Sequence, residues 1–286
     1  MKLASEWKDY KVLATGGGEK LEDWAGVLLL RPDPQIIWQS NSELKNHKGL
    51  YARYLRSEKG GGEWELFKQL PEDWTVNYKD LTFKIKPTNF KHTGLFPEQS
   101  YNWDKIRGLI KNQNRPINIL NLFAYTGGAT VAAASAGAKV THVDAAKGMV
   151  AWAKENCALS HIPQDKVRFI VDDCTKFINR EIKREVKYDG IILDPPSYGR
   201  ASGGSVWKLE DNLFELLTLC RQVLSDKPLF VLLNSYTTGL GTAVMQNMLN
   251  LALKDLGGTV ESYELCLPTE ESGIVLPCGN SAIWSK

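Results

Sequence analysis

The stretch INILNLFAYTGGATVAAASAGAKVTHVDAAKGMVAWAKEN, residues 117–156, decides the fold. It opens on an apolar run of strand length over 117–123, set off by Pro116. A turn of mostly small residues follows, Ala124-Tyr125-Thr126-Gly127-Gly128, and then an alanine-rich segment over 129–136. Alanine is the best helix former, and its small side chain lets a helix lie close against a sheet. Gly137 stops that helix, a second strand over 139–143 ends in Asp144, and another helix is predicted over 145–159. Strand, glycine turn, helix, strand, acid is a layout that takes a nucleoside cofactor at the carboxyl edge of a parallel sheet. The glycines let main chain approach the ligand. An ionised Asp144 can accept from both hydroxyls of a ribose.

The dinucleotide fingerprint G-x-G-x-x-G is missing from this place. What stands here, N-L-F-A-Y-T-G-G followed by V-D, resembles motifs I and II of the class I S-adenosylmethionine-dependent methyltransferases. Within them it is similar to the branch of bacterial large-subunit ribosomal-RNA methylases and their uncharacterised relatives. The resemblance implies an α/β fold, a Rossmann-like doubly wound sheet with an antiparallel last strand. It also implies S-adenosyl-L-methionine as cofactor and RNA as substrate. It puts Asn121, Phe123, Tyr125, Thr126 and Gly127 of motif I, and Asp144 with Ala145 of motif II, at the cofactor. For this stretch taken alone, a nucleotide-binding α/β unit of another kind is the alternative.

Upstream, NFKHTGLFPEQ over 89–99 leads into a helix predicted to reach Lys111, with Pro97 suited to its start. The same branch carries K-T-G-x-F-x-D-Q here, closing over the methionine part of the cofactor. The resemblance thus assigns Lys91, Thr93, Gly94, Phe96 and Gln99 to cofactor binding. This chain departs from the pattern with an inserted His92 and with Glu98 for the usual aspartate. The alternative is a loop whose Phe90, Leu95 and Phe96 staple the helix down. His92 reads as a hydrogen-bonded loop residue rather than a base, and His47, His142 and His161 form no metal-spaced cluster. No metal is expected.

Downstream, a strand over 167–171 ends in Asp172-Asp173-Cys174. By resemblance an acid here accepts from the adenine amine while the next backbone N–H meets a ring nitrogen. Register favours Asp173, with Asp172 as second choice and Cys174 following. The competing role is an aspartate capping the helix predicted over 175–185. Then YDGIILDPPSY, residues 188–198, runs an apolar strand into two prolines that fix the backbone and forbid helical continuation. In relatives that methylate amino groups, the acid and a proline carbonyl hold an exocyclic NH₂ while an aromatic stacks on the base. That assigns Asp194, Pro195 and Tyr198 to catalysis, with Asp194 also beside the cofactor methyl. Methyl transfer is an in-line displacement, so alignment supplies much of the rate. Relatives that make 5-methylcytosine need a thiolate after the Pro-Pro or at the end of the fifth strand. Here stand Ser197 and the cysteine-free LLNSY of 232–236, so a nitrogen target is favoured over cytosine C5. RASGGS over 200–205 reads as a flexible stretch above the site or an ordinary surface loop, with Arg200 and Lys208 as candidate phosphate ligands.

The 286 residues suffice for two modest domains, and the division predicted is a small β-rich domain over 1–88 and a cofactor domain over 89–286. Strand-like runs before residue 88 fall at 26–31, 35–39, 50–55, 64–69, 74–78 and 81–85. Between residues 45 and 68, Lys45, Lys48, Arg53, Arg56, Lys59 and Lys68 alternate with Tyr51, Tyr54 and Trp64, the ingredients of an RNA face. Glu43, Glu58, Glu63 and Glu65 dilute them, so a solvated mixed-charge face is preferred. A net charge of +2 makes no strong field toward nucleic acid. Five scattered cysteines without a C-x-x-C pair, an N-terminus without an apolar core and no membrane-length run predict a cytoplasmic protein without membrane contact. A homo-oligomer is left open. A small-molecule or protein methyltransferase, and a non-catalytic RNA-assembly factor on the same scaffold, are the rival functions.

Overall fold

The computed structural model describes every residue except 40–43, 58–60, 201–205 and 272. The chain divides into two compact units, one of Asn102–Leu265 with Gly279–Lys286 and Met1, the other of Lys2–Tyr101 with Cys266–Cys278.

The second of these begins with β1 (Lys2–Leu3) and is built on a five-stranded sheet. Its strands are β2 (Tyr10–Gly16), β3 (Glu19–Trp24), β4 (Val27–Pro32), β5 (Leu50–Arg56) and β6 (Gly62–Leu66), in that order. All neighbours are antiparallel except the parallel pair β4–β5. A hairpin of β7 (Thr75–Tyr78) and β8 (Leu81–Lys84) stands apart from it. The sequence reading missed β2 and β3. Gly17 and Gly18 between them adopt left-handed φ of 59° and 81°, the glycine hairpin turn. The alternation of β3 is hidden because Glu22 fills an inward position. It is fully buried, accepts from the Tyr10 hydroxyl at 2.7 Å, and is clasped by Arg31 with Nη2 at 2.7 Å. A buried carboxylate survives only with such partners, and they cannot be read from periodicity. The strand predicted over 35–39 is a correction: those residues are turn and coil, held by Gln35 N to Asp33 Oδ1 at 3.1 Å.

The larger unit is a doubly wound α/β sheet. Its elements in order are α1 (Ser100–Lys111), β9 (Asn118–Leu122), α2 (Gly128–Ser135), β10 (Lys139–Asp144), α3 (Lys147–Leu159) and β11 (Val167–Val171). Then come α4 (Cys174–Lys183), β12 (Gly190–Leu193), a ribbon of β13 (Tyr198–Arg200) and β14 (Val206–Lys208), α5 (Leu209–Gln222) and β15 (Phe230–Ser235). α6 (Thr242–Ala252) follows, then β16 (Thr259–Pro268) up to Leu265 and β17 (Val275–Ser285) from Gly279, the residues between belonging to the other unit. The spatial order is β11-β10-β9-β12-β15-β17-β16, parallel from β11 to β15, with β17 antiparallel against β15. This is the sheet expected, antiparallel last strand included.

Strands covered on both faces read as unbroken apolar runs, and GIIL of β12 is buried throughout. On one face Leu120, Leu122, Leu193, Val231 and Leu233 meet Phe177 and Ile178 of α4, Leu213 and Leu217 of α5, and Met245 and Leu249 of α6. Asn121 and Asn234, one residue out of phase, point to the opposite face, toward α2 and α1. Among the described residues no helix is long and apolar enough to cross a membrane, and no cluster of three metal-binding side chains occurs.

Candidate active site

At the carboxyl ends of β9 and β10 the main chain does most of the work. Phe123, Tyr125 and Gly127 take left-handed φ of 54°, 49° and 86°. For the two non-glycine residues that conformation costs roughly 1–2 kcal/mol each, so it persists only where surroundings enforce it. Phe123 N donates to Cys174 Sγ at 3.3 Å, Ala124 N to Val143 O at 3.1 Å, and Tyr125 N to Asp144 Oδ2 at 2.8 Å. Gly127 is the N-cap of α2, and a Cβ there would stand 2.9 Å from the Cβ of Ala153, so glycine is required for conformation and for space. Thr126 is buried and its carbonyl accepts from Asn156 Nδ2 at 2.8 Å, tying the turn to α3.

Asp144 closes this arrangement. Its Oδ2 takes Tyr125 N and its Oδ1 takes Ala146 N, both at 2.8 Å, so one carboxylate bridges the ends of both strands. Burial raises its pKa, while the two backbone N–H groups pull the other way. Each carboxylate oxygen has a second lone-pair site, which suits a pair of ribose hydroxyls. A turn opened by alternate left-handed residues beside that carboxylate fits an adenosyl group. Ala145 is exposed next to it. Asn121 lies elsewhere, in mid-strand opposite Ile192 and His142, and its Nδ2 is spent on Thr130 Oγ1 at 2.9 Å.

At the end of β11 both aspartates have internal duties. Asp173 caps α4, accepting from Lys176 N at 2.9 Å. Asp172 accepts from Asp173 N with Oδ1 at 2.9 Å and pairs with Arg180 through Oδ2. Cys174 is buried, its thiol pushed well up by desolvation, so it is inert as a nucleophile.

At the end of β12 the D-P-P-S turn is braced by side chains. The indole Nε1 of Trp207 donates to Pro196 O at 2.7 Å, and Leu209 N donates to Ser197 O at 3.0 Å. The Trp207 ring stands 5.3 Å from that of Phe123, joining this turn to motif I. Ser197 Oγ bonds Thr237 Oγ1 at 2.6 Å, and Thr237 N donates to Ser235 Oγ at 3.1 Å. Serines therefore occupy the turn and the strand end where a thiolate would be needed, and one hydrogen-bond chain engages both. The Pro196 and Ser197 carbonyls are thus taken, and Asp194, partly buried, directly follows β12 at the start of the turn. Tyr198 is 55% exposed on the ribbon, across from Lys208. Residues 201–205 of the expected flexible stretch lie outside the described residues. Lys208 has Asp211 3.8 Å away.

Beside β12, the end of β15 carries a buried amide cluster. Asn234 Oδ1 accepts from Asn102 Nδ2 at 3.0 Å and from Ser281 Oγ at 2.8 Å. Asn102 Nδ2 also donates to Ser281 Oγ at 2.9 Å, and Asn102 Oδ1 accepts from the Tyr263 hydroxyl at 2.8 Å. Sequence reading left Trp207 without a role and missed Asn102 entirely. A tryptophan just beyond a Gly-Gly stretch is a weak pointer to the first, and nothing local points to the second.

In the other unit, the segment before α1 is strapped by main-chain bonds. Lys86 N donates to Thr93 O at 3.2 Å, Thr88 N to His92 O at 3.0 Å, and Trp64 Nε1 to Thr88 O at 2.9 Å. Arg31 Nη1 donates to Lys91 O at 3.0 Å, while Lys91 Nζ reaches Pro32 O at 3.4 Å. Desolvation lowers the Lys91 pKa to about 8, with Lys20 and Arg31 adding to the effect against Asp33. Burial likewise takes His92 down to about 4, so this imidazole is neutral at physiological pH. Thr93 Oγ1 is buried with no hydrogen-bond partner among the described residues. Gly94 takes φ 92°, Phe96 faces His92 at 5.3 Å between rings, and Gln99 is buried at the end of the 3-10 turn Pro97–Gln99. The basic stretch nearby is partly neutralised from within. Arg53 and Lys45 both approach Glu19, at 2.9 and 3.8 Å, and Lys68 lies over the Tyr51 ring at 4.9 Å.

The S-adenosylmethionine-dependent methyltransferase family profile matches residues 37–234. The ribosomal RNA large subunit methyltransferase K/L of Colwellia psychrerythraea is 31% identical over 179 residues, 62% of this chain but only 22% of that protein. The chain thus aligns with about a fifth of the length of such curated relatives. A crystal structure of the SAM-dependent methyltransferase from Agrobacterium tumefaciens superposes with a TM-score of 0.92 at 35% identity, covering 98% of this chain and 91% of that one. SMU.776, a putative methyltransferase complexed with SAH, shares the fold at TM-score 0.74 and 17% identity, over 98% of this chain and 76% of its own.

Proposed function

The chain belongs to the S-adenosylmethionine-dependent methyltransferases, and from that premise we propose that it methylates a nitrogen of a base in RNA, ribosomal RNA first among candidates. The observation that carries the reading is the D-P-P-S turn. Asp194 and Pro195 directly follow β12 at the carboxyl edge, and serine hydroxyls, not thiols, stand at Ser197 and Ser235. The name of the Colwellia relative supports RNA as the substrate class.

When bound, S-adenosylmethionine supplies a methyl carbon already activated by its sulfonium. Asp144 would hold the ribose, the turn at 123–127 would face the adenosyl group, and Asp173 or Asp172 with the N–H of Cys174 would read the adenine. Lys91, Thr93, Gly94, Phe96 and Gln99 would meet the methionine end, where a half-buried amine and a hydroxyl without a partner among the described residues suit its carboxylate and ammonium. Asp194 and Pro195 O would accept from the substrate amine and aim its lone pair, with Asp194 receiving the proton released on transfer. Tyr198 would stack on the base from the exposed ribbon. Residues 1–88 would help capture RNA as a separate domain, and the enzyme would work in the cytoplasm.

A second reading, a small-molecule substrate, is favoured by the net charge of +2 and by the internal pairing of Arg53 and Lys45 with Glu19. Incubation with methyl-labelled S-adenosylmethionine and unmodified large-subunit ribosomal-RNA transcripts separates the two. Label in a nucleoside after digestion, with transfer weakening steeply as salt rises, supports RNA. Transcripts that stay unlabelled, with label passing to a cell metabolite extract, would sink it.

A further inference from the structure

The end of β15 carries a donor that no described residue uses. Asn234 is nearly fully buried, and its Oδ1 is doubly occupied by Asn102 Nδ2 and Ser281 Oγ. In the structure the amide turns its oxygen to Asn102 and Ser281, while the carbonyl of Asn102 takes the Tyr263 hydroxyl. The NH₂ of Asn234 is therefore aimed away from the cluster, and Nδ2 donates to none of the described residues. Asn234 Nδ2 is not sealed off as the buried, unpartnered Thr93 Oγ1 is, so it opens to solvent, where a ligand can reach it.

The sheet register says what lies beside it. Leu193 of β12 pairs with Leu233 of β15, so Asp194 and Asn234 follow as lateral neighbours at the carboxyl edge, with strands about 4.8 Å apart. Leu193 and Leu233 both enter the core on the α4–α6 side, so alternation puts the next residues on the opposite face together. An acceptor and a donor thus stand side by side at that edge.

We propose that Asn234 is the specificity-determining partner of Asp194. Together they select an exocyclic amine flanked by an unprotonated ring nitrogen, the amine donating to Asp194 and Pro195 O while the ring nitrogen accepts from Asn234 Nδ2. Adenine, cytosine and the N2–N3 edge of guanine present that pair. Uracil and protein amines do not. This rests on the proposed methylation of a base nitrogen and narrows it.

Asn234→Asp is the diagnostic change, since it keeps the oxygen that Asn102 and Ser281 need and converts only the donor into an acceptor. An unchanged melting temperature verifies the fold. On labelled ribosomal-RNA transcripts the variant is expected to lose about thirtyfold or more in kcat/KM, with S-adenosylmethionine affinity within twofold of wild type. Lowering the pH toward protonation of the new carboxyl should restore part of the rate, as the acid regains a donor. A second measurement needs no turnover. In ¹⁵N-labelled protein saturated with S-adenosylhomocysteine, the Asn234 side-chain resonances, identified by their loss in the variant, should shift with adenosine, cytidine or guanosine and not with uridine.

Full activity of Asn234→Asp, loss of cofactor binding instead of turnover, or resonances indifferent to all four nucleosides would each overturn the assignment. Unlabelled RNA together with nucleoside-dependent shifts would overturn the RNA reading and leave Asn234 in its role. Labelled RNA with an indifferent Asn234 would do the reverse.

Discussion

The two halves of the sheet's carboxyl edge are built on different principles. At β9–β10 the site is main chain: alternate left-handed residues, one required glycine and a carboxylate that gathers two backbone N–H groups. At β12–β15 it is side chain: an indole, two serines, a threonine and an amide cluster fix which polar groups are left to act. The first half can hold a ligand with little help from distant residues. The second acquires its geometry only when remote segments arrive, and that is where the choice of methyl acceptor would be made.

Substitutions should separate the halves. Asp194→Ala is expected to lower turnover by at least about a hundredfold, since both alignment and proton acceptance go with it. Its cofactor affinity by calorimetry should stay within twofold, and a parallel loss of affinity would erase the distinction between the two edges. Asp144→Ala should do the opposite, weakening S-adenosylmethionine binding about thirtyfold through lost charge-assisted hydrogen bonds. Because burial raises the Asp144 pKa, wild-type affinity should be full where the carboxylate is ionised. It should fall as pH drops, starting at a higher pH than an ordinary aspartate would give; a flat titration would remove Asp144 from the ribose.

Smaller effects sharpen the contrast. Gly127→Ala forces a Cβ into a left-handed turn and against Ala153, and should cost about 2 kcal/mol in denaturant unfolding. Unchanged stability would show that the turn relaxes freely. Trp207→Phe keeps the ring and removes only the donor to Pro196 O, so kcat should fall about fivefold, the worth of one hydrogen bond, with cofactor binding intact. A larger effect on cofactor than on turnover would assign Trp207 to the β9 side, through its contact with Phe123.

The halves also differ in how far they were legible. Pro116, the Gly127-Gly128 turn, the alanine helix and the Val-Asp strand end predict the β9–α2–β10 unit, because periodicity and turn chemistry act between near neighbours. The strand over 167–171 lies where β11 forms, and the D-P-P-S turn ends β12. The hairpin of β2 and β3 escaped notice because Glu22 is kept inside by Arg31, nine residues along. The stretch before α5 read as loop, yet its ends pair as a ribbon that carries Trp207 to Pro196.

By itself the sequence determined the alternation of strands and helices, the glycine turn and the acids at the ends of β10, β11 and β12, since those follow from local sterics, propensity and charge. Only the tertiary structure decided which carbonyls of the D-P-P-S turn are spent, which aspartate caps α4, and which way the Asn234 amide points. The reason is distance along the chain. Asn234 is oriented by Asn102, 132 positions before it, and by Ser281, 47 after it, and no local pattern encodes a hydrogen bond of that reach.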